Sequence, residues 1–287
     1  MSRQPPTLIK FGGELLEDPR RLRRIAKALV DAAASTPIVV VHGGGREVDV
    51  EMARLGIPKR AVDGLRVTDA ATLGVAVDVL AGRVNTRVVA AIGATGGSAV
   101  GLTGVDGGIV RVRKARRYRA TDGSWVNLGF VGVPEGTEAP TLVSDLTRRG
   151  HIPVVASIGC DAKGRLYNVN ADTLAGDLAP RIGARRLIIA GATAGVLDAQ
   201  GHTIPVVDDN ELIGLIRERQ ASAGMVAKLL ACRAAQGGGV RDVTIVDGRR
   251  STFLVPGRTR GATIVTSGRK KRGNAPTTVR ELKVNKQ

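Results

Sequence analysis

Several places along the chain combine residue types that could act on an anion. Lys10-Phe11-Gly12-Gly13 and His42-Gly43-Gly44-Gly45 each close an apolar run with glycines. Without side chains, backbone N–H groups can approach an anion directly, and a helix following each turn would aim its positive end at the same place. Phosphate is the natural guest. Neither turn matches GxxxxGK[ST] or GxGxxG, and plain tight strand-to-helix turns are the alternative reading. In Gly64-Leu65-Arg66-Val67-Thr68, Arg66 stands just before a helix start, where its planar fork could grip a carboxylate in two parallel hydrogen bonds. In Asn168-Val169-Asn170-Ala171-Asp172, Asn170 is placed to cap a helix, which leaves Asn168 and Asp172 for other work. Lys228, in Gly224-Met225-Val226-Ala227-Lys228, sits in an apolar helical stretch, either as a working ammonium or as a stem snorkelling to solvent. His42 reads as a hydrogen-bonded strand-end histidine, because no second metal ligand stands at suitable spacing.

Such groups must be held by regular elements. Apolar, β-prone runs recur at Thr7–Lys10, Ile38–Val41, Ile152–Ile158, Leu187–Ala190, Val243–Val246 and Thr263–Thr266, with segments of helical period between them. This alternation predicts an α/β fold whose parallel strands are covered on both faces, with ligands at their carboxyl edge. Asp18 and Pro19 supply the N-cap and first turn of the first helix, and Leu22, Ile25, Ala26, Leu29, Val30 and Ala33 form its apolar stripe. Further helices are expected near Arg46, Thr68, Pro140, Asn170, Asp209 and Ser222, with Gly56, Gly150 and Gly183 placed to stop three of them. The segment from Val110 to Val133, with Asp122-Gly123 as its turn, reads as a hairpin carried on the main sheet. Glycine-rich Val88–Val105 reads as loops and short strands rather than a membrane span.

Composition narrows the function classes. The 287 residues carry 43 Lys+Arg against 26 Asp+Glu, a net charge of +17, and 43% are hydrophobic, which excludes disorder over most of the length. Aromatics are scarce, so stacking platforms for single-stranded nucleic acid are poorly supplied. Cys160 and Cys232 lie far apart without CxxC spacing, which argues against a zinc site or a disulfide framework and fits a reducing cytosol. No apolar stretch near the amino terminus suits a secretory signal. From Gly268 the chain turns basic and loses periodicity, so residues 268–287 are expected to form a mobile tail whose phosphate contacts could involve nucleic acid.

The segments LIKFGGELL, VVVHGGGREVD, DGLRVTD, LAGRVN, GLTGVDGG, LGFVG, GHIPVVASIG, YNVNADTLAGDLA, GVLD and GMVAKL occur in this order from about Thr7 to Thr266. Their combination resembles the N-acetylglutamate kinases of the amino-acid kinase superfamily. The resemblance implies a three-layer α/β/α sandwich with a mainly parallel central sheet and two lobes: residues 1–182 for the acyl substrate and 183–267 for the nucleotide. It implies ATP and Mg²⁺, and phosphorylation of the side-chain carboxylate of N-acetyl-L-glutamate in arginine biosynthesis. A carrier-linked aminoadipate or glutamate kinase, or a non-catalytic regulator on the same fold, are the alternatives.

By resemblance, Lys10 and Lys228 stabilise the transferring phosphoryl group from opposite sides, with the amides of Gly12 and Gly44 adding to them, and Asp172 holds both lysines. Arg66, Asn168 and backbone at Gly44 and Gly45 receive the acyl substrate, while Lys10, Gly12, Gly13, Gly191, Gly195 and Lys228 face the nucleotide. N-acetylation leaves no ammonium to satisfy, so no acidic residue is demanded around Arg66, and Asp63 and Asp69 read as surface or capping residues. One departure stands out: the family's Thr/Ser-Asp-Val-x-Gly run reads Gly191-Ala192-Thr193-Ala194-Gly195 here, without the aspartate. The short segment before the first strand leaves no room for the helix that interlaces family hexamers, which points to a homodimer with weak or absent arginine feedback, and the cysteine usage and lack of a signal point to a cytoplasmic protein.

Overall fold

The computed structural model describes residues 4–120, 123–217, 221–250, 254 and 261–266. Its first half runs β1 (Thr7–Phe11), α1 (Pro19–Ala33), β2 (Ile38–His42), α2 (Gly45–Arg54), β3 (Ala61–Val62), β4 (Leu65–Arg66), α3 (Ala70–Val77), a π-helical stretch (Asp78–Val84), α4 (Asn85–Gly93) and β5 (Ala99–Thr103). There follow β6 (Val112–Lys114), β7 (Tyr118–Arg119), β8 (Trp125–Val126), β9 (Val131–Pro134), α5 (Thr141–Arg148), β10 (Ile152–Ala156), β11 (Ile158–Cys160), β12 (Leu166–Val169) and α6 (Ala171–Arg181). The chain ends in β13 (Arg186–Gly191), β14 (Val206–Asp208), α7 (Asp209–Arg217), α8 (Ala223–Gly237), β15 (Asp242–Asp247) and β16 (Thr263–Thr266).

The main sheet has the order β14-β16-β15-β13-β1-β2-β10-β5 and is parallel except where β16 meets β15. Because side chains alternate across a strand, β1 serves two cores at once. Leu8 joins Val39, Val41 and residues of α5 to α8 on one face. Ile9 and Phe11 join Val40 and residues of α1 to α4 on the other. These are the three layers expected. Every residue of β1, β2 and β10 is buried. Full burial of one large aliphatic side chain contributes about 1.5–3 kcal/mol, so the strands that carry the site are its most firmly held parts.

Local signals work as expected at most helix ends. The carboxylates of Asp18 and Asp69, the Asn170 amide oxygen and the Ser222 hydroxyl cap α1, α3, α6 and α8. The helix expected near Thr68 thus starts at Ala70. Three expectations change more substantially. The Val110–Val133 segment is not carried on the main sheet: β6 pairs with β9 in a sheet of order β11-β12-β9-β6, and β7 and β8 pair only with each other. The main sheet ends instead at β5, which takes the place beside β10. Asp122, half of the expected turn, lies outside the described residues. Secondly, Val88–Val105 contains a helix as well as a strand, since Val88 and Ile92 point together into the core from α4. Lastly, the run Ile152–Ile158 is cut at Ser157, where β11 leaves for the second sheet and pairs antiparallel with β12. The basic tail, 268–287, lies outside the described residues. Among the described residues, no helix is long and apolar enough to cross a membrane.

Candidate active site

The two glycine turns meet. A methyl group on Gly13 would fall 2.5 Å from the Gly44 Cα, so only glycine permits this approach. Together the turns form the floor of a cleft of about 250 Å³ lined by Lys10, Gly12, Gly13, Gly44, Gly45, Arg66 and Asn168 among others. The amides of Gly13, Gly44 and Gly45 donate to no carbonyl among the described residues. Gly44 and Gly45 stand at the start of α2, where the helix dipole favours an anion. Gly12 departs from the role expected of it: its amide donates to the Ala190 carbonyl at 3.0 Å, extending the β1–β13 ladder by one bond, and is spent there.

Beneath this floor lies the charged centre. Lys10 shares the face of β1 occupied by Leu8, which looks onto α6. Its ammonium is 2.8 Å from Asp172 Oδ1, and Lys228 reaches Asp172 Oδ2 at 3.6 Å. The three side chains are 6%, 7% and 17% exposed, so the carboxylate between the ammoniums is what makes their burial tolerable. Asp172 lies in the first turn of α6, where the macrodipole also favours a negative charge. Two helices set the spacing. Asp172 and Gly176 share one face of α6, Lys228 and Ala231 share one face of α8, and a methyl on Gly176 would lie 2.6 Å from the Ala231 carbonyl oxygen. Absence of a side chain at 176 therefore brings Lys228 to Asp172.

At the other end of the cleft, Arg66 Nη2 donates to the Gly45 carbonyl at 2.9 Å and pairs with Asp49, and Nη1 contacts the Met52 sulfur at 3.2 Å. Asn168 Nδ2 donates to Thr68 Oγ1 at 3.3 Å. His42 is buried behind the floor. Asn85 Nδ2 donates to its Nε2 at 3.1 Å and to the Val154 carbonyl at 2.9 Å, and His42 Nδ1 lies 3.2 Å from the Gly43 carbonyl. Burial pushes the imidazole down to about 4, so it is neutral at physiological pH and serves as a structural clamp. Cys232, on α8, is also buried, and burial followed by the Asp172 charge pushes its thiol up, which makes it inert.

With this geometry in place, the profile of the amino acid kinase family matches residues 5–247. The chain belongs to the amino acid kinase family. It is 41% identical over 263 residues to the acetylglutamate kinase of Sphingopyxis alaskensis, covering 89% of this chain and 86% of that one. To the acetylglutamate kinase of Acidiphilium cryptum it is 42% identical over 248 residues, covering 84% and 82%. Among solved structures, N-acetylglutamate synthase from Neisseria gonorrhoeae, complexed with coenzyme A and N-acetyl-glutamate, superposes with a TM-score of 0.77 at 23% identity. That match covers 93% of this chain and 61% of the synthase. Carbamate kinase from Giardia gives 0.66 at 12%, covering 93% of this chain and 100% of that one. At such identities the two structures attest the fold.

In this amino acid kinase the expected residues divide unevenly. Lys10, Gly12, Gly13, Gly44, Gly45, Arg66 and Asn168 line one cleft, and Asp172 ties Lys228 to it. Gly191 ends β13 beside Lys228, whose Cε would lie 3.3 Å from a methyl placed there. Gly195 stands apart. Its φ is +88°, and a methyl on it would meet Thr263 Oγ1 at 2.5 Å, so a left-handed turn packed closely against β16 is what demands glycine at 195. No acidic residue is demanded around Arg66 and the motif carries only Asp63 and Asp69, yet Asp49 of α2 is paired with the guanidinium. Nothing in Gly64–Thr68 points to Asp49, which stands on a different element, α2. Glu14 and Ser157, which none of the motifs singles out, line the cleft as well. Glu14 is adjacent to the glycine turn, so it was visible in principle.

Proposed function

We propose that this chain transfers the γ-phosphoryl group of ATP to the side-chain carboxylate of N-acetyl-L-glutamate, as a step of arginine biosynthesis. The observation that carries this reading is the convergence of Lys10 and Lys228 on Asp172, at the foot of a cleft that also holds Arg66 and Asn168. A glutamate side chain has an ordinary pKa of about 4.3, so the acceptor arrives ionised and needs no general base. The buried neutral His42 is consistent with that. What remains difficult is bringing this anion against a triphosphate and stabilising the negative charge as the phosphoryl group moves in line.

Lys10 and Lys228 supply charge for that task without proton transfer, and each preorganised donor is worth about 3 kcal/mol in the transition state. The free amide of Gly13 takes the place of Gly12 as a backbone donor beside that of Gly44. Asp172 keeps the two ammoniums within reach of one another before substrate arrives. Arg66 receives the α-carboxylate and Asn168 the acetamido end. Among the described residues there is no group of three or more His, Cys, Asp or Glu placed to hold a metal ion; Mg²⁺ would enter with the nucleotide, take one or two protein carboxylates at most, and neutralise phosphate oxygens. We assign the acyl substrate to residues 1–182 and the nucleotide to 183–267, and we read the protein as a cytoplasmic homodimer.

Hydroxylamine trapping of the acyl phosphate tests the proposal. Wild-type protein with ATP, Mg²⁺ and N-acetyl-L-glutamate should form the hydroxamate. Lys10→Ala and Lys228→Ala should each lose about 100-fold or more in kcat. Turnover that survives both substitutions refutes the assignment, and preference for a carrier-linked acid in direct competition would replace the substrate.

A further inference from the structure

We propose that Glu14 is the protein ligand to the divalent cation that accompanies the nucleoside triphosphate in this cleft, an inference that rests on the kinase reading above. Glu14 follows the first glycine turn and lines the cleft. Its carboxylate folds back over that turn, so that a methyl on Gly12 would lie 2.3 Å from Oε1 and 2.4 Å from Oε2. The same Oε1 would be 3.7 Å from a methyl on Gly191, and the Lys228 Cε would be 3.3 Å from it. The carboxylate thus stands between the ends of β1 and β13, next to Lys228, in a gap kept open by two glycines.

Its charge is unclaimed. Among the described residues, no hydrogen bond or ion pair reaches the Glu14 side chain, which is half-buried. The acids at the same strand ends are committed: Asp172 to Lys10 and Lys228, and Asp247, which pairs in register with Gly191, on both oxygens to Arg249. An unpaired carboxylate beside a cleft built for phosphates repels a bare polyanion. A cation placed between them reverses the sign of that interaction. One carboxylate suffices, because Mg²⁺ keeps several waters and takes one or two protein carboxylates together with substrate phosphates.

The sign of the effect separates this role from its rival, in which Glu14 merely offsets the charge of Lys228. Calorimetric titration of the full chain with ATP is made in excess Mg²⁺ and again in EDTA, for wild type, Glu14→Gln and Glu14→Ala. Both variants should bind ATP with Mg²⁺ about tenfold more weakly and metal-free ATP severalfold more tightly. The preference of wild type for the magnesium form should therefore collapse. Variants that bind both forms more tightly by one common factor would overturn the proposal in favour of a simple counter-charge, and unchanged affinities would overturn it outright. If wild type binds neither form, the kinase reading itself fails; if wild type binds both and only the variants disagree, the failure belongs to Glu14 alone.

Discussion

Replacing Asp172 by Asn keeps the shape of the side chain and removes the charge on which two buried ammoniums depend. At the observed separations of 2.8 and 3.6 Å, and with an effective dielectric constant of about 20, the attractions lost are roughly 6 and 5 kcal/mol. Most of this is offset by desolvation already suffered by the charges. The net loss should follow that of other broken buried pairs, about 3–5 kcal/mol, because the ammoniums stay behind unpaired. Urea unfolding of wild type, Asp172→Asn, Lys10→Met and the double variant would read it, with the slope checked for two-state behaviour. Removing Lys10 leaves Asp172 its contact with Lys228, so that single variant should cost less than Asp172→Asn. In the double variant one stranded charge is gone, and its cost should fall short of the sum of the two by about 1–3 kcal/mol. Additivity within about 0.5 kcal/mol would show that Asp172 and Lys10 act independently, and the description of the centre as a shared-charge unit would be wrong. Turnover in the hydroxylamine assay should drop with Asp172→Asn even where folding is complete, since the lysines lose their anchor.

Gly176→Ala sets two effects against each other. A methyl gains up to about 1 kcal/mol of helix propensity, but it lands 2.6 Å from the Ala231 carbonyl oxygen and 2.9 Å from the Ala231 Cα, backbone that cannot swing aside. Overpacking of about 1–3 kcal/mol should win; kcat should fall while KM for N-acetyl-L-glutamate holds, and a more stable variant with full kcat would contradict the spacing argument. His42 predicts a pH dependence. Its folded value is lowered to about 4 from an ordinary 6.5, so below pH 6.5 the unfolded chain takes up a proton that the native state refuses. Stability should fall by roughly 3 kcal/mol as pH drops from about 6.5 to about 4, and His42→Gln, compared with wild type in denaturant titrations at pH 7 and 4.5, should remove that part of the slope.

Much of this protein was legible in one dimension. Local signals sufficed wherever the physics is local: Asp18, Asn170 and Ser222 cap their helices through bonds spanning two or three residues. The β-branched apolar runs at Thr7, Ile38 and Ile152 became strands buried along their whole length, as their composition requires. Lys10, Arg66, Asn168, Asp172 and Lys228 could be singled out by type and setting. What the chain order could not decide was which groups touch. The edge of the main sheet went to β5 rather than to the basic hairpin, a choice among competing pairings that depends on all strands at once. Asp49 claims Arg66 because α2 lies alongside β4 in space, and the Gly12 amide is lost to Ala190, a partner 178 positions away. Gly176 is unremarkable until α8 is packed on α6. Sequence fixes the donors, acceptors and charges available to the site, since these are properties of single residues; burial and distance, which set the strength of each interaction, exist only once the chain has closed on itself.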